Sequence, residues 1–125
     1  MDGSTKLYNR RHAFLILKIK PLSVNQAYKG RKFRTSQYDK YISEVTDLLK
    51  GSTFDFYGKL HIDIEFGFSS KASDIDNPVK CFVDCLQKHF GFNDKMIYSM
   101  SLKKVDVKKG CEYIDFNIEN YEKVR

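Results

Sequence analysis

Two aspartates separated by one residue, Asp74 and Asp76, stand before an asparagine, Asn77, and a lysine, Lys80. A further aspartate, Asp94, comes 18 residues after Asp76. Carboxylate oxygens are hard ligands of the kind that Mg²⁺ prefers, and a nearby ammonium group can stabilise negative charge that develops on a phosphate. These residue types predict metal-assisted hydrolysis of a phosphodiester bond, with the three aspartates as metal ligands and Lys80 as the cation.

A helix is predicted directly after the first two aspartates. In an extended segment, side chains at i and i+2 point to the same side, so Asp74 and Asp76 are expected to present both carboxylates to one point. We expect Asn77 to be the helix N-cap, the helix to cover residues 78–90, and Gly91 to end it. Its apolar stripe, at helical spacing, consists of Val79, Phe82, Val83, Leu86 and Phe90. The alternative is that Asp74, Asp76 and Asn77 only cap this helix.

The position of the other two acidic residues leaves alternatives open. Asp84 is one turn beyond Lys80 and could orient its ammonium group, or the two could form an ordinary surface pair. A helix of 13 residues spans about 20 Å. Asp94 is therefore expected to be far from Asp76, and two arrangements could still bring it to a metal site. Either residues 91–94 fold back along the helix, or Asp94 completes the site of a second subunit in a two-fold dimer with antiparallel helices.

The order of these motifs resembles that of the RusA family of Holliday-junction resolvases, over residues 21–97. The family's helix motif, D-x-D-N-x-x-K-x-x-x-D-x-L, is matched by Asp74, Asp76, Asn77, Lys80, Asp84 and Leu86. The later D-D-x-x-I/V motif is matched by Asp94 and Ile97, whereas Asn93 replaces its first aspartate. A P-x-S-x-N element, which a basic and aromatic loop follows, is matched by Pro21, Ser23 and Asn25, with residues 28–34 as the loop.

The resemblance implies a Mg²⁺-dependent endodeoxyribonuclease, with Mn²⁺ as a substitute, that makes paired symmetric nicks in four-way DNA junctions during recombination and repair. It places the catalytic roles on Asp74, Asp76, Asp94 and Lys80. From their own positions, Asn77 and Asp84 are expected to support these residues. A homodimer is expected because two symmetric strands must be cut and because of the length of the helix. We expect activity despite Asn93; with one fewer acid at this corner, the metal preference could shift. The alternatives are a broader branched-DNA endonuclease that acts on flaps or forks, and a catalytically silent dimer that only binds junction DNA.

Positive charge is concentrated near the start of the chain. Residues 1–34 hold nine Lys and Arg and one acid, a net charge of +8, while the other 91 residues have a net charge of −2. A localised basic region indicates a polyanionic partner. The residues expected to contact DNA are Asn25, Lys29, Arg31, Lys32, Arg34 and Lys71. Tyr28 and Phe33 could stack on opened bases or anchor the loop to the core.

The hydrophobic periodicity predicts an α+β fold, a single domain over residues 1–125 with the element order β-α-β-α-β-β. Helices are expected mainly on one face of a mixed sheet. We expect strands at residues 14–20, 60–68, 97–107 and 112–119, and a helix at 36–50 with Ser36 as N-cap. In the strand at 60–68, one face is expected to carry Ile62, Ile64, Phe66 and Phe68, and the other His61, Asp63 and Glu65. Residues 22–34, which are rich in polar residues, are expected to form a loop. The last two strands are expected to form a hairpin, whose solvated face carries Lys103, Lys104, Lys108 and Lys109. Residues 1–11 are expected to be a flexible basic lead-in.

Composition narrows the class of protein. The 125 residues are 42% hydrophobic, which is enough for a core, and no segment approaches the length of a transmembrane helix. The three cysteines lack zinc-ligand spacing, and the three histidines, His12, His61 and His89, are expected to be structural or surface residues. We therefore expect no membrane partner, no organic cofactor, and a location in the cytoplasm of a bacterial cell or phage-infected host.

Overall fold

The computed structural model describes residues 12–29 and 33–121, and it confirms the predicted α+β fold. A four-stranded mixed sheet carries helices on one face, and a short two-stranded ladder lies beside it. The elements are β1 (His12–Leu17), α1 (Val24–Ala27), β2 (Tyr28–Lys29), β3 (Phe33–Arg34), α2 (Ser36–Leu49), β4 (Leu60–Phe68), α3 (Val79–Phe90), β5 (Ile97–Asp106) and β6 (Tyr113–Asn120). A 3₁₀ turn, Asp94–Met96, stands before β5. The predicted lead-in lies outside the described residues.

The sheet order is β1-β6-β4-β5. β4 and β5 are parallel, with Leu60 opposite Ile97 and Phe68 opposite Asp106, and α3 is the crossover that joins them. The helix therefore runs from the end of β4 back to its beginning. As a result, the chain just before α3 and the chain just after it lie at opposite ends of the sheet.

The predicted hairpin between β5 and β6 is wrong. Cys111 N donates to Lys108 O at 2.9 Å, so the connection does turn where expected. However, β4 lies between the two strands and pairs with both of them. A sequence pattern indicates a strand but not its neighbour, and β4, the strand with the most completely buried face, takes the position between the other two.

The alternation predicted for β4 is confirmed. Ile62, Ile64 and Phe66 are buried on the helix-bearing face, and the residues between them are half-buried on the other face. On the covered face, the rings of Phe82 in α3 and Phe116 in β6 meet edge to face, with 5.4 Å between their centres. This contact packs α3 onto the middle of the sheet.

Both predicted N-caps are wrong by one residue. Helix α3 begins at Val79 with Pro78 at the N-cap, and it has no side-chain capping bond because a proline side chain has no acceptor atom. Asn77 lies one residue earlier, and its Nδ2 donates to Asp74 Oδ2. Helix α2 is capped by Thr35, whose Oγ1 accepts from Tyr38 N at 3.2 Å. The C-terminal end of α3 is as expected, at Gly91 in the left-handed conformation with φ 84°.

The segment expected to be a plain loop after β1 contains regular structure. Ser23 and Gln26 form a reciprocal capping box that opens α1, and the short strands β2 and β3 then pair with each other. Thr35 Oγ1 closes this segment by donating to Gln26 O at 2.7 Å. The polar residues that suggested a loop are in fact the caps of a single helical turn.

Candidate active site

The loop that follows β4 carries the first two aspartates. Residues 75–78 form a turn in which Val79 N donates to Asp76 O at 3.2 Å. The expectation of an extended segment, with both carboxylates on one side by simple alternation, is therefore wrong. Asp74 and Asp76 are nevertheless both exposed, and Asn77 Nδ2 donates to Asp74 Oδ2 at 3.4 Å. The turn presents two carboxylates and an amide to solvent.

The P-x-S-x-N segment supports this turn. Val24 N, at the start of α1, donates to Asn77 O at 3.1 Å. The Ser23 hydroxyl and the Gln26 side chain each make a bond of 3.3 Å to the other's backbone N–H, which fixes the first turn of α1. Asn25 is exposed on the same short helix. Two motifs that are 50 residues apart in the chain are thus joined at one place.

A cavity of about 300 Å³ opens beside Asp74, between the β4–α3 loop and the residues after β1. Lys20, Ser69, Asn77 and Glu112 are among the side chains that line it. Glu112 accepts from Ser69 Oγ at 2.6 Å and from Gly110 N at 3.0 Å, and the bond from Ser69 is the main reason that its pKa is lowered. No sequence pattern pointed to Glu112, because Ser69 and the Asp74 loop are remote from it in the chain.

Lys80 begins a row of polar side chains along the exposed side of α3. Its Nζ lies 3.8 Å from Asp84 Oδ2, and Asp84 also accepts from Tyr38 OH and from Gln87 Nε2, both at 3.3 Å. Burial, and then the charge of Asp84, raise the pKa of Tyr38, so its hydroxyl remains a donor. Asp84 is therefore held from three directions, which is more than a surface pair provides. Sequence reasoning did not identify Tyr38 or Gln87.

The same row ends at Asp94, toward the end of α3 that is away from the first aspartates. Gln87 Oε1 accepts from Asp94 N at 2.8 Å, so the chain after α3 folds back along the helix by only one turn. Val79 and Gln87 are about 12 Å apart along the helix axis. Among the described residues, the aspartates at 74, 76 and 94 do not form a group with carboxylate oxygens within 4.8 Å of one another.

The residue that departs from the family motif, Asn93, has a structural role. Its Oδ1 accepts from Lys95 N at 2.9 Å and caps the 3₁₀ turn that carries Asp94. Either an asparagine or an aspartate can make this bond through a side-chain oxygen. The same capping bond is therefore open to both side chains, which differ in that an aspartate would add a negative charge.

A different group of potential ligands lies on the open face of the sheet. His61, Asp63 and Glu119 place ligand atoms within 4.8 Å of one another. The ring nitrogens of His61 contact Ser99 Oγ at 2.5 Å and Asp63 Oδ1 at 2.7 Å. Burial raises the pKa of Asp63, but hydrogen bonds from Ser101, His61 and Asn117 outweigh it and hold this pKa below its ordinary value. The cluster fits the structural role expected for His61.

The residues predicted to bind DNA have different surroundings. Asn25, Lys29 and Lys71 are exposed, whereas Arg31 and Lys32 lie outside the described residues. Arg34 pairs with Asp39 at 3.1 Å.

The two aromatic residues of this segment also differ from each other. Tyr28 is half-buried, and its ring centre lies 5.4 Å from that of Tyr38. Phe33 is 74% exposed. Tyr28 is therefore an anchor of the segment, and Phe33 is the aromatic side chain that a base can reach.

Two comparisons extend these observations. The family model described as endodeoxyribonuclease RusA matches residues 20–113, a stretch that contains every described residue of the site. No curated protein matches the chain significantly. Within the described part of the chain, no helix is long and apolar enough to cross a membrane.

Proposed function

Since the chain belongs to the endodeoxyribonuclease RusA family, we propose that it resolves four-way DNA junctions by paired, symmetric, Mg²⁺-dependent cuts. The observation that carries this proposal is the turn with exposed Asp74 and Asp76, followed one helical turn later by exposed Lys80. Hydrolysis of a phosphodiester needs metal-binding oxygens and a cation close together on an accessible surface.

The donor set at this turn fits a hard divalent cation. Carboxylate oxygens of Asp74 and Asp76 would hold Mg²⁺, or Mn²⁺ in its place, and the Asn77 amide would keep the Asp74 carboxylate oriented by its hydrogen bond. A bound ion would polarise the scissile phosphate and supply a water of lowered pKa. The adjoining cavity has room for the part of the DNA strand next to the cleaved bond.

Lys80 would stabilise the negative charge that builds up on the phosphate or its leaving oxygen. Asp84 supports this role because it lies 3.8 Å from the lysine ammonium and is itself fixed by Tyr38 and Gln87. Asp84 is thus a positioning residue. It limits the freedom of a long, exposed side chain that must meet a phosphate at one place.

We further propose that the active form is a homodimer in which Asp94 completes the site of the other subunit. In one chain, Asp76 precedes Val79, the first residue of α3, whereas Asp94 is bonded to Gln87, about 12 Å farther along the helix axis. Two antiparallel helices related by a two-fold axis would bring each Asp94 to the partner's Asp76. Such a dimer has two sites, as symmetric cleavage of two strands requires.

DNA would be held by Asn25, Lys29, Arg31, Lys32, Arg34 and Lys71. Of these, Asn25 and Lys71 lie on the segments that adjoin the Asp74 turn, so they are best placed for phosphates next to the cut. Phe33 is exposed and suited to stacking on an unpaired base. No organic cofactor takes part in this scheme, and the setting proposed for it is the cytoplasm of a bacterial cell or phage-infected host.

The test is cleavage of a labelled four-way junction, beside linear duplex and a flap, by wild type and Asp76→Asn. Paired symmetric nicks on the junction, lost in the variant while binding persists, are the expected result. Equal cleavage of flaps would instead indicate a broader branched-DNA endonuclease. Tight junction binding without any cleavage by wild type, in Mg²⁺ or Mn²⁺, would refute the enzymatic function.

A further inference from the structure

Lys104 lies where the edge strand β5 meets the loop that carries Asp74. Its Nζ donates to the backbone oxygen of Lys71 at 3.1 Å and to that of Ser73. The same ammonium is 5.8 Å from the centre of the Phe68 ring, at the end of β4. Lys104 is half-buried in this position, so the prediction that it belongs to a solvated face is wrong.

The bond to Ser73 acts directly on Asp74. The Ser73 carbonyl belongs to the peptide unit that ends at the Asp74 Cα, and a peptide unit is planar. Holding this oxygen therefore fixes the orientation of the Asp74 amide and limits the directions in which its carboxylate can point. Hydrogen bonds from a charged donor are also stronger than those between neutral groups.

The described hydrogen bonds within the loop are local. Ser73 N donates to Ser70 O at 3.2 Å, and Ala72 N donates to Ser70 Oγ at 3.3 Å. These bonds shape a turn but do not set its position relative to the sheet. Two further bonds hold the ends of the loop, because Ser69 Oγ donates to Glu112 and Asn77 O accepts from Val24 N. The two bonds from Lys104 attach the middle of the loop, residues 71–73, to β5.

We propose that Lys104 is a positioning residue for the metal-binding aspartates: it fastens the loop of residues 69–78 to the sheet and thereby sets the affinity of the site for a divalent cation. The part that concerns the cation rests on the proposed function. The part that concerns the loop does not, because the two carbonyl bonds need no metal.

The test compares Lys104→Met and Lys104→Arg with a matched control, Lys103→Met. Lys103 is the adjacent residue of β5, but its side chain is 70% exposed and lies 3.8 Å from Glu65, on the open face of the sheet. The probes are Mn²⁺ titration by calorimetry and hydrogen exchange of residues 69–78. An Asp74→Asn variant supplies the background titration, and circular dichroism checks that each variant is folded.

We expect Lys104→Met to bind Mn²⁺ about 10-fold more weakly than wild type. This is the lower end of the loss in metal affinity that follows removal of a group that orients a metal ligand. Amides of residues 69–78 should exchange faster. Lys104→Arg should recover part of both properties, since a guanidinium keeps the charge and the donors. Lys103→Met should match wild type.

Unchanged exchange in Lys104→Met would overturn the proposal, and so would faster exchange with an unchanged Mn²⁺ affinity. Equal effects of Lys103→Met and Lys104→Met would overturn it as well, because a general loss of charge would then explain both. If wild type neither binds Mn²⁺ nor cuts junction DNA, the proposed function is wrong. Hydrogen exchange alone then decides whether Lys104 orders the loop.

Discussion

Two inactive variants, Asp76→Asn and Asp94→Asn, are expected to restore activity when one subunit of each forms a dimer. The physical reason is the length of α3. Asp76 precedes this helix of 12 residues, about 18 Å long, and the Gln87 side chain holds Asp94 near its other end. Mg²⁺ holds its oxygen ligands at about 2 Å, and among the described residues Asp74, Asp76 and Asp94 of one chain do not form a group of ligand atoms within 4.8 Å of one another.

The expected nicking rate depends on which site of the heterodimer carries each of the two substitutions. In a heterodimer with shared sites, one site carries both substitutions and the other carries neither. A purified heterodimer should therefore nick junctions at about half the wild-type rate, and a randomly reassorted equal mixture at about a quarter, for a two-fold dimer. If Asp76 and Asp94 served one site from the same chain, each site would keep one substitution and remain inactive.

The assay uses subunits with different affinity tags, co-expressed and purified in two steps so that only heterodimers remain. A four-way junction is then labelled on each strand in turn. We expect single nicks with few paired cuts, since only one of the two sites is intact. Homodimers of each variant are the controls. Each should lose more than about 100-fold in cleavage rate, because removing a ligand of the metal has a larger effect than removing a group that only orients a ligand.

A heterodimer whose composition is verified by mass spectrometry, and which binds the junction but makes no nicks, would refute the shared site. The loop after α3 would then have to rearrange on DNA binding to bring Asp94 across the molecule. Nicking of both strands at the wild-type rate would refute it equally, because one intact site cannot make two simultaneous cuts.

Further outcomes follow from single side chains. Lys80→Gln should lower the cleavage rate by about 100-fold through the loss of charge stabilisation, with junction binding in EDTA nearly unchanged; Lys88→Gln, an exposed lysine two turns later, is the control and should cut normally. Asn93→Asp should keep the cap on Lys95 N and lower the Mg²⁺ concentration needed for half-maximal cleavage, whereas a rise would show that the added charge is unfavourable there. Asp63→Asn should lower the melting temperature at neutral pH. Because the folded-state pKa of Asp63 lies below its ordinary value of 3.8, this stabilisation is present above that pH and is lost as the pH falls through the lower folded value, so the difference between variant and wild type should shrink in acid. A difference in melting temperature that is constant between neutral and acid pH would contradict this assignment.

Much of the local structure around the candidate site was predictable from the sequence because its signals are local, and the roles of its residues stay predictions. The spacing of the apolar residues identified α3, Gly91 marked its end, and the residue types at positions 74, 76 and 80 indicated a metal site beside a cation. Even so, local signals failed at the N-terminus of α3. The asparagine expected to cap the helix bonds to Asp74 instead, and Pro78 takes the capping position without a side-chain bond. A side-chain amide has several partners within reach, and only the folded turn selects among them.

The sequence by itself determined the kinds of elements, the buried face of β4 and the residues able to do chemistry, because periodicity and side-chain type are properties of short stretches of chain. Only the tertiary structure decided which stretches meet. The parallel register of β4 and β5 separated Asp94 from Asp76, and the insertion of β4 between β5 and β6 prevented the expected hairpin. The fold also brought Lys104 and Glu112 to the Asp74 loop. Contacts of this kind depend on strand order and helix direction, which arise from burial of the whole core.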